Sequence, residues 1–394
     1  MVYSNRAIAD IVFGICLTSI IGFCVFSLDL SRQDTRENRR LEPFPQICAD
    51  SKINTKWAAQ TENYVSDRLS VRDDMIDLHS RLLSAFDRRG NKTVMVGREG
   101  WLFLNYAPNS HNFGQLHYVQ NKIGFTAAQL AKIKADLIKI RDWAAERDIK
   151  FYVYFPPDKL TVYRDYYPPY VRLSDKPTLV STVEKAIKDD INVVSLEDIF
   201  LKFRRDDFLH YKTESHWAPA GAHLAYLSIM RRLQQDFKNL HALDEGDMDI
   251  SMTDEVISSI YPDGKRKIYK GNEYNMLGRP DYIDVVKPIY KKYTFKNQSR
   301  IQTVSKPPYE TAHNAAGQDL RVYVIGDSYN DFMFPFMAAT FKDVRKVRIN
   351  GVKTQAQWGI RFSDRASDIE GFKPDVLLMG ISDLKLIELL KIWE

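Results

Sequence analysis

The sequence predicts an α/β fold built on an open, doubly wound parallel sheet of about five strands. Five short, mostly apolar segments are typical of buried strands, and amphipathic helical patterns alternate with them along the chain. The length of 394 residues and the hydrophobic content of 44% are sufficient for one large core. The predicted strands are residues 149–157, 191–196, 320–326, 344–349 and 375–381.

The helices between these strands carry recognisable start signals. Thr126 followed by Gln129 has the form of a capping box, and apolar residues recur at helical spacing after it. Pro219 stands at the first position of another predicted helix, where a missing backbone N–H costs nothing. Residues 241–317 lose the alternation and are rich in Asp, Gly, Pro, Tyr and Lys, which predicts an irregular insertion with short strands and loops.

An apolar segment near the start of the chain predicts a membrane anchor. Residues 11–28 contain no charged side chain, and a helix of this length crosses a hydrocarbon core. A cleaved signal peptide is the alternative, but the segment exceeds the usual apolar region of about 7–15 residues and no Ala-x-Ala-like site follows. We therefore predict an uncleaved transmembrane anchor over residues 1–30, a polar stem and helical lead-in over 31–90, and a globular domain over 91–394.

The basic residues around this segment do not settle on which side of a membrane the domain lies. Arg6 precedes the segment, whereas four arginines follow it within residues 32–40, and this bias by itself favours a cytoplasmic domain. First helices with very short N-terminal tails usually insert as signal anchors, and long domains are translocated despite such charges. The charge pattern leaves both orientations open.

Composition argues against several function classes. The net charge of +5 is mild, and no block of Lys and Arg is interleaved with aromatic residues, so nucleic acid is not an expected partner. Cys48 is the one cysteine outside the apolar segment, which rules out a disulfide within the globular part and a cysteine-based metal site. We expect neither a metal nor a cofactor.

Gly326, Asp327 and Ser328 follow directly after a predicted strand. Ligands of such sheets gather at the carboxyl ends of the strands, which makes Ser328 a candidate nucleophile. Backbone N–H groups at the start of the next helix are placed to support a developing oxyanion. The alternative is that Asp327 or Ser328 caps that helix, because Asp and Ser are preferred at helix starts.

A serine hydroxyl needs a base, and His216 is the best candidate among the eight histidines. Glu214 lies two residues earlier, so in an extended loop its carboxylate projects to the same side and can orient the imidazole. A packed histidine beside an exposed glutamate would give the same pattern. A cation site formed by His210, Glu214 and His216 is a further alternative, although their spacing fits no strong metal motif.

Several motifs resemble one known family. "TESHW" at 213–217 and "GDSY" at 326–329, together with "ENRRLEPFP", "DRLSVRDD", "GREGWLF" and "KLTVY", resemble the alginate O-acetyltransferase family and its SGNH-hydrolase-like acetyltransferase domain. The resemblance extends in order from Glu37 to the end of the chain. It implies an SGNH-hydrolase-like sheet in which Ser328 is the nucleophile, His216 the base and Glu214 the orienting acid. Relatives commonly have Asp at the position of Glu214.

The resemblance also implies a function and its partners. Proteins of this family move acetyl groups through an acetyl-serine onto hydroxyls of an exported polysaccharide, receive them from a membrane-bound O-acyltransferase, and are anchored in the bacterial inner membrane with the domain in the periplasm. Two alternatives stay open, a polysaccharide acetyl esterase and a non-catalytic polysaccharide-binding subunit. Five residues are expected to contact substrate, although packing is an equal alternative for them: Lys159, Tyr163, Trp217, Tyr329 and Trp358.

Overall fold

The chain divides into two compact units, Met1–Arg88 and Arg89–Glu394. The second unit contains all residues predicted to act in catalysis or substrate binding. The computed structural model describes residues 2–30, 41–49, 52–72, 75, 94–105, 114–260, 266–270, 289–306, 309–348 and 361–393.

The described part of the first unit contains two helices and a short hairpin. Its elements are α1 (Val2–Phe26), β1 (Cys48–Ala49), β2 (Lys52–Ile53) and α2 (Trp57–Arg68). Asp67 is buried, and its carboxylate accepts a hydrogen bond from the backbone N–H of Glu42 at 2.8 Å. Among the residues that the structure describes, no helix combines the length and apolarity needed to cross a membrane, so the anchor stays a prediction.

The second unit alternates helices and strands, as predicted. Up to residue 236 its elements are β3 (Val94–Val96), β4 (Leu102–Leu104), α3 (Gln115–Val119), α4 (Ala127–Ala145), β5 (Lys150–Tyr154), α5 (Lys159–Val162), α6 (Leu179–Ile187), β6 (Asn192–Val194), α7 (Glu197–Phe203) and α8 (Pro219–Asp236). Later elements are β7 (Met248–Thr253), β8 (Glu255–Ile260), β9 (Arg266–Lys270), β10 (Tyr290–Phe295), β11 (Ile301–Lys306), β12 (Tyr309–Asn314), β13 (Gln318–Gly326), α9 (Tyr329–Thr340), β14 (Phe341–Arg348), α10 (Ser363–Phe372) and β15 (Val376–Gly380). Short 3-10 helices span Arg98–Gly100, Arg164–Tyr166, Gln298–Arg300 and Asp383–Lys391.

Among the described residues, seven strands form the main sheet in the order β11-β12-β14-β13-β15-β5-β6. The five strands from β14 to β6 are parallel and correspond to the five predicted strands. β12 pairs with β14, and β11 with β12, in antiparallel ladders, so the sheet is mixed and the prediction of a wholly parallel sheet is wrong. The β11–β12 hairpin comes from the predicted insertion and covers the β14 edge, whose N–H and C=O groups would otherwise be unpaired.

The local start signals give the helices that they predicted. Thr126 and Gln129 form both hydrogen bonds of a capping box at the start of α4. Pro219 occupies the first turn of α8. Near the end of the chain, Asp383–Lys391 forms a 3-10 helix.

The parallel strands bring their carboxyl ends together at one edge of the sheet. Gly326, the last residue of β13, is paired with Arg348 of β14 and Gly380 of β15. Gly380 is paired in turn with Tyr154 of β5. The turn that follows β13 therefore opens beside the ends of three neighbouring strands, where ligands of parallel sheets bind.

Candidate active site

Ser328 lies in a tight turn between β13 and α9 that depends on Gly326. A Cβ atom at Gly326 would lie 2.0 Å from Nδ2 of Asn330 and 2.7 Å from the carbonyl oxygen of Gly380. Asn330 is buried, and its Nδ2 donates to the Gly380 carbonyl at 3.0 Å while its Oδ1 accepts from the Tyr154 hydroxyl. The absence of a side chain at Gly326 allows Asn330 to tie the turn to two neighbouring strands.

Asp327, and not Ser328, caps the helix that follows the turn. One carboxylate oxygen of Asp327 accepts from the Tyr329 N–H at 3.1 Å, and the other accepts from the Ser382 N–H at 2.8 Å. The side chain of Ser328 makes no capping hydrogen bond. The capping alternative therefore applies to Asp327 and leaves the Ser328 hydroxyl for another partner.

The first N–H groups of α9 are engaged within the turn itself. Besides the bond from Tyr329, the N–H of Asn330 donates to the Asp327 carbonyl oxygen at 3.1 Å. In the described part of the chain the N–H of Ser328 has no such partner. An oxyanion formed at Ser328 would thus meet the serine's own N–H rather than those of the next two residues.

The partner of Ser328 is His216. Nε2 of His216 lies 2.7 Å from Oγ of Ser328. Nδ1 of the same ring lies 3.0 and 3.1 Å from the two carboxylate oxygens of Glu214, and the His216 backbone N–H donates to that carboxylate at 2.6 Å. An imidazole that donates from Nδ1 to Glu214 has an unprotonated Nε2, which can accept the hydroxyl proton of Ser328.

Burial and charge set the ionisation of this pair. Burial alone would lower the pKa of His216, but the charge and hydrogen bond of Glu214 outweigh it and raise the pKa above its ordinary value. Burial alone would raise the pKa of Glu214, yet His216 and Lys159 keep that pKa below its ordinary value. Glu214 is therefore an anion at neutral pH, as an orienting acid must be.

Aromatic side chains hold the imidazole in place. The His216 ring stacks on Phe332, with 5.2 Å between ring centroids and an angle of 28°. Tyr329 lies beside the same imidazole at 5.2 Å. Nε1 of Trp217 donates to the Tyr329 carbonyl oxygen at 3.0 Å, which connects the loop that carries His216 to the start of α9.

Four of the five residues expected to contact substrate are buried in this structure, which favours the packing alternative for them. Trp217 is 0% exposed and has no free face for a sugar ring. The Tyr163 ring stacks on Trp101 at 4.2 Å, and the Tyr329 hydroxyl donates to Asp158 at 2.9 Å. Lys159 is 1% exposed and bonds to backbone carbonyls. The fifth residue, Trp358, lies outside the described residues.

The cation alternative is not supported. Nε2 of His210 donates to the Pro157 carbonyl oxygen at 2.9 Å, and burial lowers the pKa of His210 to about 3. Across the described ranges, no group of three or more His, Cys, Asp or Glu side chains is arranged to hold a metal ion. His210 is a buried structural histidine, whereas Glu214 and His216 are hydrogen-bonded to each other.

Sequence reasoning missed the buried polar residues that support the site. Asp158 accepts the Tyr329 hydroxyl and caps α5. Asp331 forms an ion pair with buried Lys346, and its charge adds to the rise in the His216 pKa. One signal for such supporting residues is present in the sequence. Asn330 and Asp331 are polar and directly follow the serine motif, at the start of a predicted helix.

The comparisons with known proteins agree with this architecture. Residues 94–257, which include Glu214 and His216, match the family model of the SGNH hydrolase-like domain of acetyltransferase AlgX. No curated protein matches the chain by sequence.

Two structures of PatB1 share the fold at low identity, and a third solved structure is more distantly similar. PatB1 of Bacillus cereus has 14% identity and a TM-score of 0.52, and the match covers 76% of this chain and 99% of that one. The structure of PatB1 with a sulfonyl adduct has 13% identity and a TM-score of 0.51, covering 76% and 98% of the two chains. The O-acetyltransferase domain of Pseudomonas putida AlgJ has 16% identity and a TM-score of 0.44, covering 75% and 92%. Residues 94–257 are therefore similar to the SGNH-hydrolase-like domain of the AlgX acetyltransferase type, and the remaining residues lie outside that match.

Proposed function

We propose that this protein transfers acetyl groups through an acetyl-serine on Ser328 to hydroxyls of a polysaccharide, alginate or a similar exopolysaccharide. The observation that carries the proposal is the 2.7 Å contact between Nε2 of His216 and Oγ of Ser328, with Glu214 bonded to the opposite nitrogen of the ring. A serine, a base and an orienting acid in this order are the arrangement that activates a hydroxyl for acyl transfer. The acetyltransferase type of the matched domain supports the same reaction.

In the first half-reaction, the hydroxyl proton of Ser328 moves to Nε2 of His216 as Oγ attacks the carbonyl carbon of an acetyl ester. The negative charge that develops on the carbonyl oxygen is stabilised by the backbone N–H of Ser328. The bond from the carbonyl carbon to the donor's ester oxygen then breaks. The departing oxygen takes the proton from His216, which leaves an acetyl group on Ser328 and a neutral imidazole.

In the second half-reaction, a sugar hydroxyl takes the place of the departed donor. His216 accepts the proton of this hydroxyl while its oxygen attacks the carbonyl carbon of the acetyl-serine. The bond to Oγ breaks, and Ser328 recovers its proton from His216. Glu214 stabilises the imidazolium in both halves because its carboxylate stays ionised beside Nδ1.

The cellular setting belongs to the same proposal. The family resemblance supports a membrane-bound O-acyltransferase as the source of acetyl groups, and the apolar segment at residues 11–28 supports an anchor in the bacterial inner membrane. The domain would then act in the periplasm on a polysaccharide in transit.

Product analysis separates transfer from hydrolysis. The full chain is incubated with p-nitrophenyl acetate and with oligosaccharides of uronic acids or of neutral sugars, and the products are identified by mass spectrometry. A transferase yields acetylated oligosaccharide that is absent with Ser328→Ala. Release of acetate alone, with every acceptor left unmodified, would contradict transfer and favour the esterase alternative.

A further inference from the structure

Lys159 is a buried cation whose ammonium group donates hydrogen bonds to three carbonyl oxygens of one loop, residues 211–214. Its side chain is 1% exposed at the start of α5. Nζ donates to the backbone carbonyl oxygens of Glu214 at 2.6 Å, Tyr211 at 3.0 Å and Lys212 at 3.3 Å. An ammonium group has three N–H donors and no acceptor, so each donor meets one carbonyl.

Two aromatic rings and two carboxylates also attract this ammonium group. Nζ lies 5.9 Å from the ring centroid of Trp101 and 5.6 Å from that of Phe103, distances at which aromatic faces attract a cation. The carboxylates of Glu214 and Asp158 attract it through space. A charge buried this deeply is expensive and persists only where its partners compensate it.

The three carbonyl oxygens belong to the segment that carries the orienting acid. Residues 211–214 lead directly into His216, and the Tyr211 N–H donates to the His216 carbonyl oxygen at 3.2 Å. Fixing the carbonyl of Glu214 fixes the direction in which its side chain leaves the backbone. A shift of about 1 Å at a catalytic group costs on the order of 100-fold in rate.

We propose that Lys159 is the positioning residue of the active site: its ammonium group holds the 211–214 segment so that the Glu214 carboxylate faces His216. This inference rests on the proposed function of Ser328. It replaces the expectation that Lys159 contacts substrate, and it predicts that the protein works only while Lys159 is charged. A neutral amine retains two N–H donors and directs a lone pair at the third carbonyl, so the loop loses a restraint.

The charge on Lys159 is poised to change near neutral pH. Burial lowers the pKa of Lys159 to about 7, against the attraction of Glu214 and Asp158. The other titratable groups around it are His210, whose pKa is lowered by burial, and His216, whose pKa Glu214 raises. His210 is neutral over this range and adds no charge. As the pH rises we expect both His216 and Lys159 to lose a proton, and the loss from Lys159 removes the charge that holds the 211–214 segment.

The test measures how fast phenylmethanesulfonyl fluoride modifies Ser328 as a function of pH. This probe reports whether the serine and its base are aligned, whatever acyl group the protein transfers. The second-order labelling rate of the full chain is measured from pH 5 to 10 for the wild type, Lys159→Met and Lys159→Arg, using mass spectrometry of the Ser328 peptide. Lys238→Met removes an exposed lysine and is the matched control.

We expect the wild-type rate to rise as His216 loses its proton and then to fall at higher pH as Lys159 loses its own. Lys159→Arg, whose guanidinium stays charged, moves the fall to higher pH. Lys159→Met lowers the rate at pH 7 at least tenfold, and Lys238→Met changes nothing.

Three outcomes overturn the inference. They are a wild-type rate that stays flat from pH 7 to 10, an unchanged fall in Lys159→Arg, or a wild-type rate in folded Lys159→Met. Because Lys159→Met removes a buried donor from the carbonyls of this loop and can fail to fold, the first two outcomes decide the matter without it. A wild type that is not labelled at Ser328 at any pH would overturn the proposed function as well, whereas labelling that ignores Lys159 overturns this inference alone.

Discussion

His216 and Ser328 are 112 positions apart in the chain, yet Nε2 of the one lies 2.7 Å from Oγ of the other. Ser328 follows β13, and His216 lies in the loop between α7 and α8. The contact exists because the sheet order places the ends of its parallel strands at one edge, so that loops distant in sequence meet there.

Replacing the nucleophile removes the reaction and leaves the fold. Ser328→Ala should reduce turnover of p-nitrophenyl acetate by about 10³- to 10⁴-fold, because no other hydroxyl is bonded to Nε2 of His216 in the described structure. Circular dichroism and the Tm should stay at wild-type values. The matched control is Ser195→Ala at an exposed position. A Ser328→Ala variant that retains half of the wild-type turnover would remove Ser328 from the mechanism.

The pH dependence of activity should report the charge of Glu214. The base must be neutral, and Glu214 raises the pKa of His216, so wild-type activity is lost as the pH falls through a value above the ordinary 6.5. Glu214→Gln removes that charge, which lowers the maximal rate. It also moves the acid limb, the part of the pH profile where activity falls with falling pH, to lower pH. The limb is measured as kcat/KM against pH. An acid limb that stays in place in Glu214→Gln would contradict the assigned pair.

The same pKa shift has a consequence for stability. The pKa of His216 is raised on folding, so the pair stabilises the folded state most below the unfolded value of about 6.5 and loses this contribution as the pH rises through the folded pKa. Wild type should therefore lose Tm relative to Glu214→Gln as the pH rises from 6 to 8. A constant difference in Tm across that range would contradict the coupling.

A methyl group at Gly326 should disrupt the turn. Its Cβ would lie 2.0 Å from Nδ2 of Asn330, whose bonds to neighbouring strands leave it little room to move. Gly326→Ala should cost about 1–3 kcal/mol of unfolding free energy and most of the activity. The matched control is Gly371→Ala in α10, where a Cβ meets nothing within 4 Å and a helical alanine is preferred by about 1 kcal/mol. Equal stability of the two variants would contradict the tight turn.

Trp217 should affect stability and not the affinity for sugar. Trp217→Phe loses the hydrogen bond from Nε1 to the Tyr329 carbonyl and leaves a void, which should cost about 1–3 kcal/mol. Because Trp217 is fully buried, the KM for an oligosaccharide acceptor should stay within about twofold while kcat falls. A raised KM with unchanged stability would instead indicate that Trp217 stacks on the acceptor.

The strands of the parallel core were predictable because their burial on both faces leaves an apolar signature. Val153, Val324 and Leu378 belong to such segments and are buried. The antiparallel edge was not predictable, since β11 and β12 are half-exposed and carry mixed polar residues that resemble a loop. Their place in the sheet depends on pairing with β14, a contact between distant parts of the chain.

The site was predictable where chemistry requires particular residue types, and not where burial decides the role. Ser328, His216 and Glu214 were selected by their local motifs, and the structure places their side chains within hydrogen-bond distance of one another. Lys159 and Trp217 are chemically suited to bind sugars, and nothing local shows that tertiary packing encloses them. The partners of Lys159 are backbone carbonyls, which have no signature in sequence.

Acetylation of Ser328 itself is the most direct measurement. The full chain is mixed with p-nitrophenyl acetate without acceptor, quenched with acid within a single turnover, digested and analysed by mass spectrometry. The mechanism predicts one acetyl group on the Ser328 peptide, its disappearance when an oligosaccharide is added, and none in Ser328→Ala. Product formation without that adduct, or an acetyl group on another residue that is passed on to sugar, would contradict the mechanism.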